Sequence, residues 1–370
     1  MVPAQSALPG TISPFDVADL RERVQRTIDK VLEQESCLLT NIDDDLIPLV
    51  EALTALLAGG KRVRPAFCYW GWRGALVGGL PPAEIDEPAM AASAALEFLQ
   101  ACALIHDDVM DGSDTRRGLP AAHRRFANLH LSNSWIGSPE HFGVGAAILL
   151  GDMCLSWFDQ VLLSSGMPEA ALKRAKPVYD EMRIELMAGQ YLDLLEQARG
   201  GGSIESALRV VRYKSAKYTI EKPLHLGAAL AGAAPDVFTT YTAFGLPLGE
   251  AFQLRDDVLG VFGDPKETGK PAGDDLREGK RTVLIAIASE RASSAQLSAI
   301  RNHLGDPGLD LSGVEELRQI ITDTGALDHA EQLIANLLQT SLFAIETDAI
   351  NPAARVIFTD LAHAVTTRSL

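Results

Sequence analysis

Apolar residues recur at intervals of three and four along most of the chain and strand-like alternation is scarce, so the pattern predicts an all-α protein. The clearest run is 89–111, which lacks Gly and Pro and is apolar on nearly every side. Pro88 before it and Gly112 after it match the usual helix start and stop. A helix apolar all round belongs in the core, and at 1.5 Å per residue this one would be about 34 Å long. Further helical patterns cover 169–198, 204–233 and 236–262, with Gly200-Gly201-Gly202 as a linker. Residues 263–281 are charged and rich in Gly and Pro, which predicts a mobile lid. The stretch from about 292 to 370 alternates apolar helical segments with short breaks and holds no chemical motif. Residues 1–14 are rich in Pro, Ser and Gly and are expected to form a disordered arm, leaving 15–370 as one helical domain of antiparallel helices around a central cavity.

Charge narrows the partners. The 370 residues carry a formal net charge of −16, which disfavours nucleic acid and anionic membrane surfaces. The four cysteines (Cys37, Cys68, Cys102, Cys154) have no CxxC spacing and read as free, mostly buried thiols in a reducing compartment. The N-terminus shows no signal-peptide pattern, and the apolar stretch 143–163 is interrupted by Asp152 and Asp159, so no membrane span is expected. These features predict a soluble cytoplasmic protein.

The candidate chemistry sits in three places. His106-Asp107-Asp108-Val109-Met110-Asp111 ends the 89–111 helix, with Asp107 and Asp111 on one helical face and Asp108 beside them. Crowded carboxylates repel and call for a cation. Oxygen-only donors at an electronegative helix C-terminus suit a hard ion such as Mg²⁺. Arg116-Arg117 follow, and guanidinium forks fit phosphate oxygens. A second acidic pair, Asp256-Asp257, lies in an apolar helix after Phe252-Gln253, and is followed by Gly269-Lys270, Asp274-Asp275 and Gly279-Lys280. The third place is Gly59-Gly60-Lys61-Arg62-Val63-Arg64-Pro65, which has the character of a phosphate-binding turn at a helix start. Two carboxylate clusters with basic flanks and a separate basic turn predict a protein that holds two diphosphates.

With GGKRVRP, HDDVMDGSDTRRG, Lys214-Ser215, FQLRDDVLG and the Gly-Lys elements in this order between 59 and 282, the chain resembles the trans-isoprenyl diphosphate synthases, the farnesyl and geranylgeranyl diphosphate synthase (polyprenyl synthetase) family. The resemblance implies the isoprenoid synthase fold, a homodimer, and about three Mg²⁺ per site. It implies Asp107, Asp108, Asp111, Asp256 and Asp257 as metal ligands. An allylic diphosphate (dimethylallyl, geranyl or farnesyl) would contact Lys214, Lys270 and Arg116. Isopentenyl diphosphate would be held by Lys61, Arg64, Gln100 and Arg117. Ser215, Gln190, Phe252, Gln253 and Lys280 complete the implied substrate contacts, with Gln253 and Lys214 also counted as catalytic. Gln190 belongs to a GQxxD element ending at Asp193, and His106 is read as packing rather than ligating.

Three positions depart from the family pattern: Ser215 for threonine, Gln100 for histidine, and Gly260 for the last acid of a second DDxxD. The last departure weakens that metal side unless Asp264 or Asp257 substitutes. Product length is expected to depend on residues one turn below Asp107. Cys102 and Ala103 are small, with Leu99 further down as floor, so the resemblance implies a deep tunnel and geranylgeranyl diphosphate rather than farnesyl or longer products. A terpene cyclase would lack the second, Lys/Arg-built diphosphate site. A non-catalytic partner subunit would be expected to lose acids of the first cluster, all of which are present.

Overall fold

The computed structural model describes residues 13–76, 83–264 and 273–367. Residues 1–12 of the expected arm and 265–272 of the expected lid lie outside the described residues. Eleven α-helices lie between Leu20 and Phe262 among the described residues: α1 Leu20–Thr40, α2 Ile47–Leu57, α3 Val63–Ala75, α4 Ala83–Ala94, α5 Leu96–Asp111, α6 Ala122–Ser132, α7 Pro139–Leu163, α8 Glu169–Ala198, α9 Ile204–Val210, α10 Lys222–Ala231 and α11 Pro235–Phe262. Shorter helices occupy much of the chain between Asp274 and Thr366. Among the described residues the only strands are the two-residue β1 Thr115–Arg116 and β2 Leu119–Pro120, paired antiparallel as a hairpin after α5.

The 89–111 pattern is one apolar rod with a seam. Its helix begins earlier than expected, at Ala83, and Pro88 lies inside α4 instead of ahead of it. Pro88 is the sixth residue of α4, so the helix there goes without the hydrogen bond that an N–H at this position would make to the carbonyl of residue 84. Ala95 keeps helical φ/ψ between α4 and α5 while Phe98 N–H reaches its carbonyl at 3.0 Å, a local tightening to the three-residue pattern. The far end behaves as predicted: Gly112, at φ 67°, closes the helix directly after Asp111. Ile85–Asp111 and α7 are each long and apolar enough to cross a membrane by length and composition, so Asp152 and Asp159 do not exclude α7 as expected. In the fold, 72% and 44% of their apolar windows are buried against other helices.

Two apolar clusters hold the bundle. The larger joins α1 to α8, α10 and the first half of α11 through Phe67, Trp72, Phe98, Phe158, Tyr241 and Phe244. The smaller packs Leu254, Val258 and Val261 of α11 on Leu276, Ile287 and Leu317. The 204–233 pattern is not uniformly α-helical. Between α9 and α10, Val211–Glu221 form a π-helical segment wedged between α8 and α11. Glycines admit it: a Cβ at Gly189 would lie 2.7 Å from Lys214 Cα, and one at Gly249 would lie 2.7 Å from Ala216 Cα.

The same device sets α3 against α10, where a Cβ on Gly71 would lie 2.9 Å from the Leu224 carbonyl oxygen. Gly→Ala in a helix interior is ordinarily stabilising. Here the added methyl overpacks a backbone contact, so Gly71→Ala should cost about 1–3 kcal/mol, read as a lower urea midpoint at unchanged slope.

Candidate active site

Everything at the site is organised around the end of α5. Asp107 Oδ1 accepts from Lys214 Nζ at 2.9 Å and from Gln190 Nε2 at 2.8 Å. Lys214 Nζ also donates to Asp193 Oδ2 at 2.6 Å. The Gln190–Asp193 turn of α8 therefore faces the cluster, and the π-segment delivers one ammonium between two carboxylates. Burial opposes that charge, but Asp107, Asp193 and Asp111 outweigh it and raise the Lys214 pKa. Burial likewise pushes Asp107 up, yet Lys214 and Lys280 prevail and hold it at about 2. Asp111 has no such partner. Burial and the Asp107 charge lift its carboxyl to about 6, and both its oxygens are buried without a hydrogen bond. Lys217, two residues beyond Ser215, turns the other way to Glu185.

Asp108 is not where the sequence suggested. It is 2% exposed and is gripped by Arg116, whose Nε lies 2.9 Å from Oδ1, so it faces away from the cavity and orients the arginine instead of offering a ligand oxygen. Successive residues on a helix diverge by about 100°, so Asp107, which lines the cavity, and Asp108 point different ways.

On the opposite wall, α11 presents Phe252, Gln253, Asp256, Asp257 and Gly260. Ser215 Oγ donates to Gln253 Oε1, and Gln253 Nε2 donates to Asp257 Oδ1 at 2.8 Å. This chain fixes the amide and uses the hydroxyl that Ser215 shares with threonine. Burial raises the Asp257 carboxyl to about 8, aided by Asp275 and Asp256. Lys280 pairs with Asp275 at 3.2 Å and with Glu278 at 2.7 Å. Lys270 lies outside the described residues.

The basic turn divides its labour. Gly59 and Gly60 take φ of 71° and 108°, which only glycine adopts without strain, and Arg62 follows at 55°. Arg62 is buried, paired with Glu97 and donating to the Leu57 carbonyl at 2.6 Å. Lys61 and Arg64 line the cavity with Gln100. Arg64 stacks 4.1 Å from the Tyr218 ring centroid and donates to Thr219 Oγ1 at 3.0 Å. Arg117 Nη1 donates to the Leu56 carbonyl at 2.8 Å, and its guanidinium lies beside Gly60. The adjacent arginines thus part, Arg116 toward the acidic cluster and Arg117 toward the basic turn.

One cavity of about 910 Å³ joins these walls. Below Asp107 its lining is Ala103, Leu104, Leu186 and Tyr218. Ala103 is placed as expected. Cys102 and Leu99 are not: Cys102 Sγ lies 3.8 Å from His106 Nδ1, and both side chains sit in the core. His106 itself faces the Ile148 carbonyl at 3.1 Å, a packing position as read. Leu104, Leu186 and Tyr218 carry no sequence signal beyond apolar helical spacing, because cavity-lining and core positions on a buried helix look alike.

Among the described residues no three acids, imidazoles or thiolates converge on one point tightly enough to cage a cation alone. Mg²⁺ commonly takes only one or two carboxylates plus substrate phosphates. Asp107 lines the cavity with Asp256 on the opposite wall, and the orphaned Asp111 oxygens one turn beyond Asp107 fit such an ion.

The family model described as polyprenyl synthetase matches residues 48–322. A geranylfarnesyl diphosphate synthase of Aeropyrum pernix is 34% identical over 283 residues, covering 76% of this chain and 81% of the relative. A geranylgeranyl diphosphate synthase of Sulfolobus acidocaldarius is 31% identical over 79% of this chain and 82% of its own length. In three dimensions the chain is similar to geranylgeranyl pyrophosphate synthase of Corynebacterium glutamicum, solved with isoprenyl diphosphate and magnesium. That TM-score is 0.90 at 40% identity, covering 97% of this chain and 100% of the other.

Arg62, for all its place in the basic motif, is a structural residue. Arg62→Leu strands the buried Glu97 carboxylate and should destabilise the fold by about 3–5 kcal/mol, measured by urea denaturation, whereas Lys61→Leu should change stability by under about 0.5 kcal/mol.

Proposed function

We propose that this chain, which belongs to the polyprenyl synthetase family and is a prenyltransferase of the prenyl diphosphate synthase type, joins isopentenyl diphosphate to allylic diphosphates head to tail and releases geranylgeranyl diphosphate. The observation that carries the reading is the pairing, across one cavity, of an under-neutralised carboxylate cluster with a separate basic turn. A single-diphosphate cyclase has no use for the second anion site, and a non-catalytic subunit has no use for the first.

Catalysis in this family depends on a divalent metal. Asp107 and Asp111 on α5 and Asp256, with Asp257, on α11 are the residues that would hold Mg²⁺, which supplies positive charge to the leaving diphosphate. Lys214 and Arg116 add fixed cations on that side, and Lys61, Arg64, Gln100 and Arg117 would seat isopentenyl diphosphate on the other. The allylic C–O bond breaks and its electron pair leaves on diphosphate. The isopentenyl double bond then attacks the allylic cation, and the resulting tertiary cation loses a proton to the departing diphosphate. No side-chain base is required. Phe252 and the Gln253 carbonyl oxygen, held by Ser215, lie where an aromatic face and a dipole favour transient positive charge. The chain's contribution is positioning and electrostatic preorganisation.

Ala103 is the small residue at the tunnel wall and supports a twenty-carbon product over farnesyl diphosphate. Leu104, Leu186 and Tyr218 are the side chains that would cap growth. A homodimer is supported by the large apolar side chains left exposed on α6, the loop after it, α7 and α8. Leu131, Ile136, Leu149, Leu163, Ile184 and Met187 are all more than half exposed there.

Purified protein with Mg²⁺ and isopentenyl diphosphate should elongate dimethylallyl, geranyl and farnesyl diphosphates to a twenty-carbon product, and EDTA should abolish this. Absence of elongation with every starter would sink the reading. Asp107→Ala should lower kcat by about 10²–10³. Ala103→Phe should shift the product to fifteen carbons, whereas a Cys102 substitution should act through stability; equal product shifts from both would overturn the wall assignment. Light scattering should give twice the chain mass, with Leu149→Glu yielding monomer.

A further inference from the structure

The basic turn is held by a residue that no motif contains. Gln25 lies on α1, ahead of the region 48–322 that the family model matches. Its Oε1 accepts from Arg62 Nη2 and, at 3.4 Å, from the Gly59 N–H. Its Nε2 donates to Asp29 Oδ1 at 2.8 Å, one turn further along α1, which fixes the way the amide points. One oxygen on α1 thus bridges residues 59 and 62, the two ends of the segment that carries Lys61.

The turn needs such an anchor. Gly59 and Gly60 have no side chains to hold them, and among the described residues neither N–H makes a backbone–backbone hydrogen bond. Arg62 takes φ 55°, a conformation that a residue with a side chain keeps only where its surroundings over-determine it. Its buried guanidinium is held from three helices. Nη1 pairs with Glu97 of α5, while Nη2 donates to the Leu57 carbonyl of α2 at 2.6 Å and to Gln25 of α1. Lys61 directly precedes Arg62, and Arg64 follows it in the first turn of α3, so a shift of Arg62 moves both. Gln25 is not what neutralises the arginine. Without it, Nη1 keeps Glu97 and Nη2 keeps the Leu57 carbonyl, so no buried charge is stranded.

We propose that Gln25 is a positioning residue for isopentenyl diphosphate, acting through Arg62 and Gly59 to set the basic turn in the shape that presents Lys61 and Arg64. The inference rests on the prenyl diphosphate synthase reading of the site. It assigns α1 a part in seating one of the two substrates.

The test separates the two substrates. Steady-state kinetics with farnesyl and isopentenyl diphosphates, together with Tm, are measured on the full chain, Gln25→Leu and Gln25→Glu. Gln25→Leu should raise KM for isopentenyl diphosphate about tenfold, the scale of one hydrogen bond to a charged group, with kcat and KM for farnesyl diphosphate within about twofold. Gln25→Glu keeps an acceptor at the same reach and should stay within about threefold of the full chain. The Tm of both variants should stay close to that of the full chain. Inorganic pyrophosphate titrated in EDTA gives a readout that needs no turnover, because without metal the acidic wall repels the anion and binding reports the basic turn. Gln25→Leu should weaken that binding about tenfold, and Lys61→Leu should weaken it too, which assigns the signal to the turn. An unchanged KM and pyrophosphate affinity in Gln25→Leu, equal rises in both KM values, or a Glu variant no better than the Leu variant would each make Gln25 an ordinary contact of the fold and overturn the proposal. If the unmodified chain elongates no starter, the reading of function fails instead, and the pyrophosphate titration alone decides whether Gln25 shapes the turn.

Discussion

One ammonium group holds the site together. Lys214 stands between Asp107 and Asp193, which come from helices that would otherwise confront each other with like charges. Removing carboxylates from water is costly unless the charge is matched. Lys214 matches part of it and leaves Asp111 unmatched with both oxygens free. That shortfall is what makes the end of α5 receptive to a cation. The fold is stable enough to carry the deficit because α5 is anchored along its length by Leu96, Phe98, Leu99 and Ile105 in the main core.

Lys214 could not reach that place from an ordinary helix packed at ordinary distance. The segment that carries it is π-helical, and it approaches α8 and α11 at Gly189 and Gly249 with backbone rather than side chains. The wider turn sends Lys214 to the acids and Lys217 to Glu185, although the two lie only three residues apart. It also presents Ser215 to Gln253 and Thr219 to Arg64, so one irregular segment links the acidic and basic walls of the cavity. Irregular helical turns at functional positions are common for this reason: they re-aim side chains that a regular helix would distribute evenly.

The same division of labour recurs in each motif. In the basic turn Arg62 is buried and paired with Glu97, while Lys61 is exposed and Arg64 stacks on Tyr218. In the first acidic motif Asp108 braces Arg116 while Asp107 lines the cavity. In the second, Gly260 makes room for Asp275. A motif is a string of residue types, but adjacent residues on a helix point in different directions. Part of every charged motif here therefore holds the other part in position.

The helical class, the long helices over 169–198 and 236–262, the sharp stop at Gly112 and the presence of two acidic clusters with a basic turn were determined by the sequence alone. Each follows from local rules: apolar spacing, glycine's access to positive φ, and the need of crowded carboxylates for cations. What tertiary structure decided is direction and depth. The turning of Cys102 and Leu99 into the core, the π-helical winding of 211–221 and the arrival of Asp275 beside Gly260 all depend on contacts between residues distant in the chain. Local spacing holds no record of which face of a fully apolar helix meets a cavity, nor of which distant side chain will fill the gap that a glycine leaves.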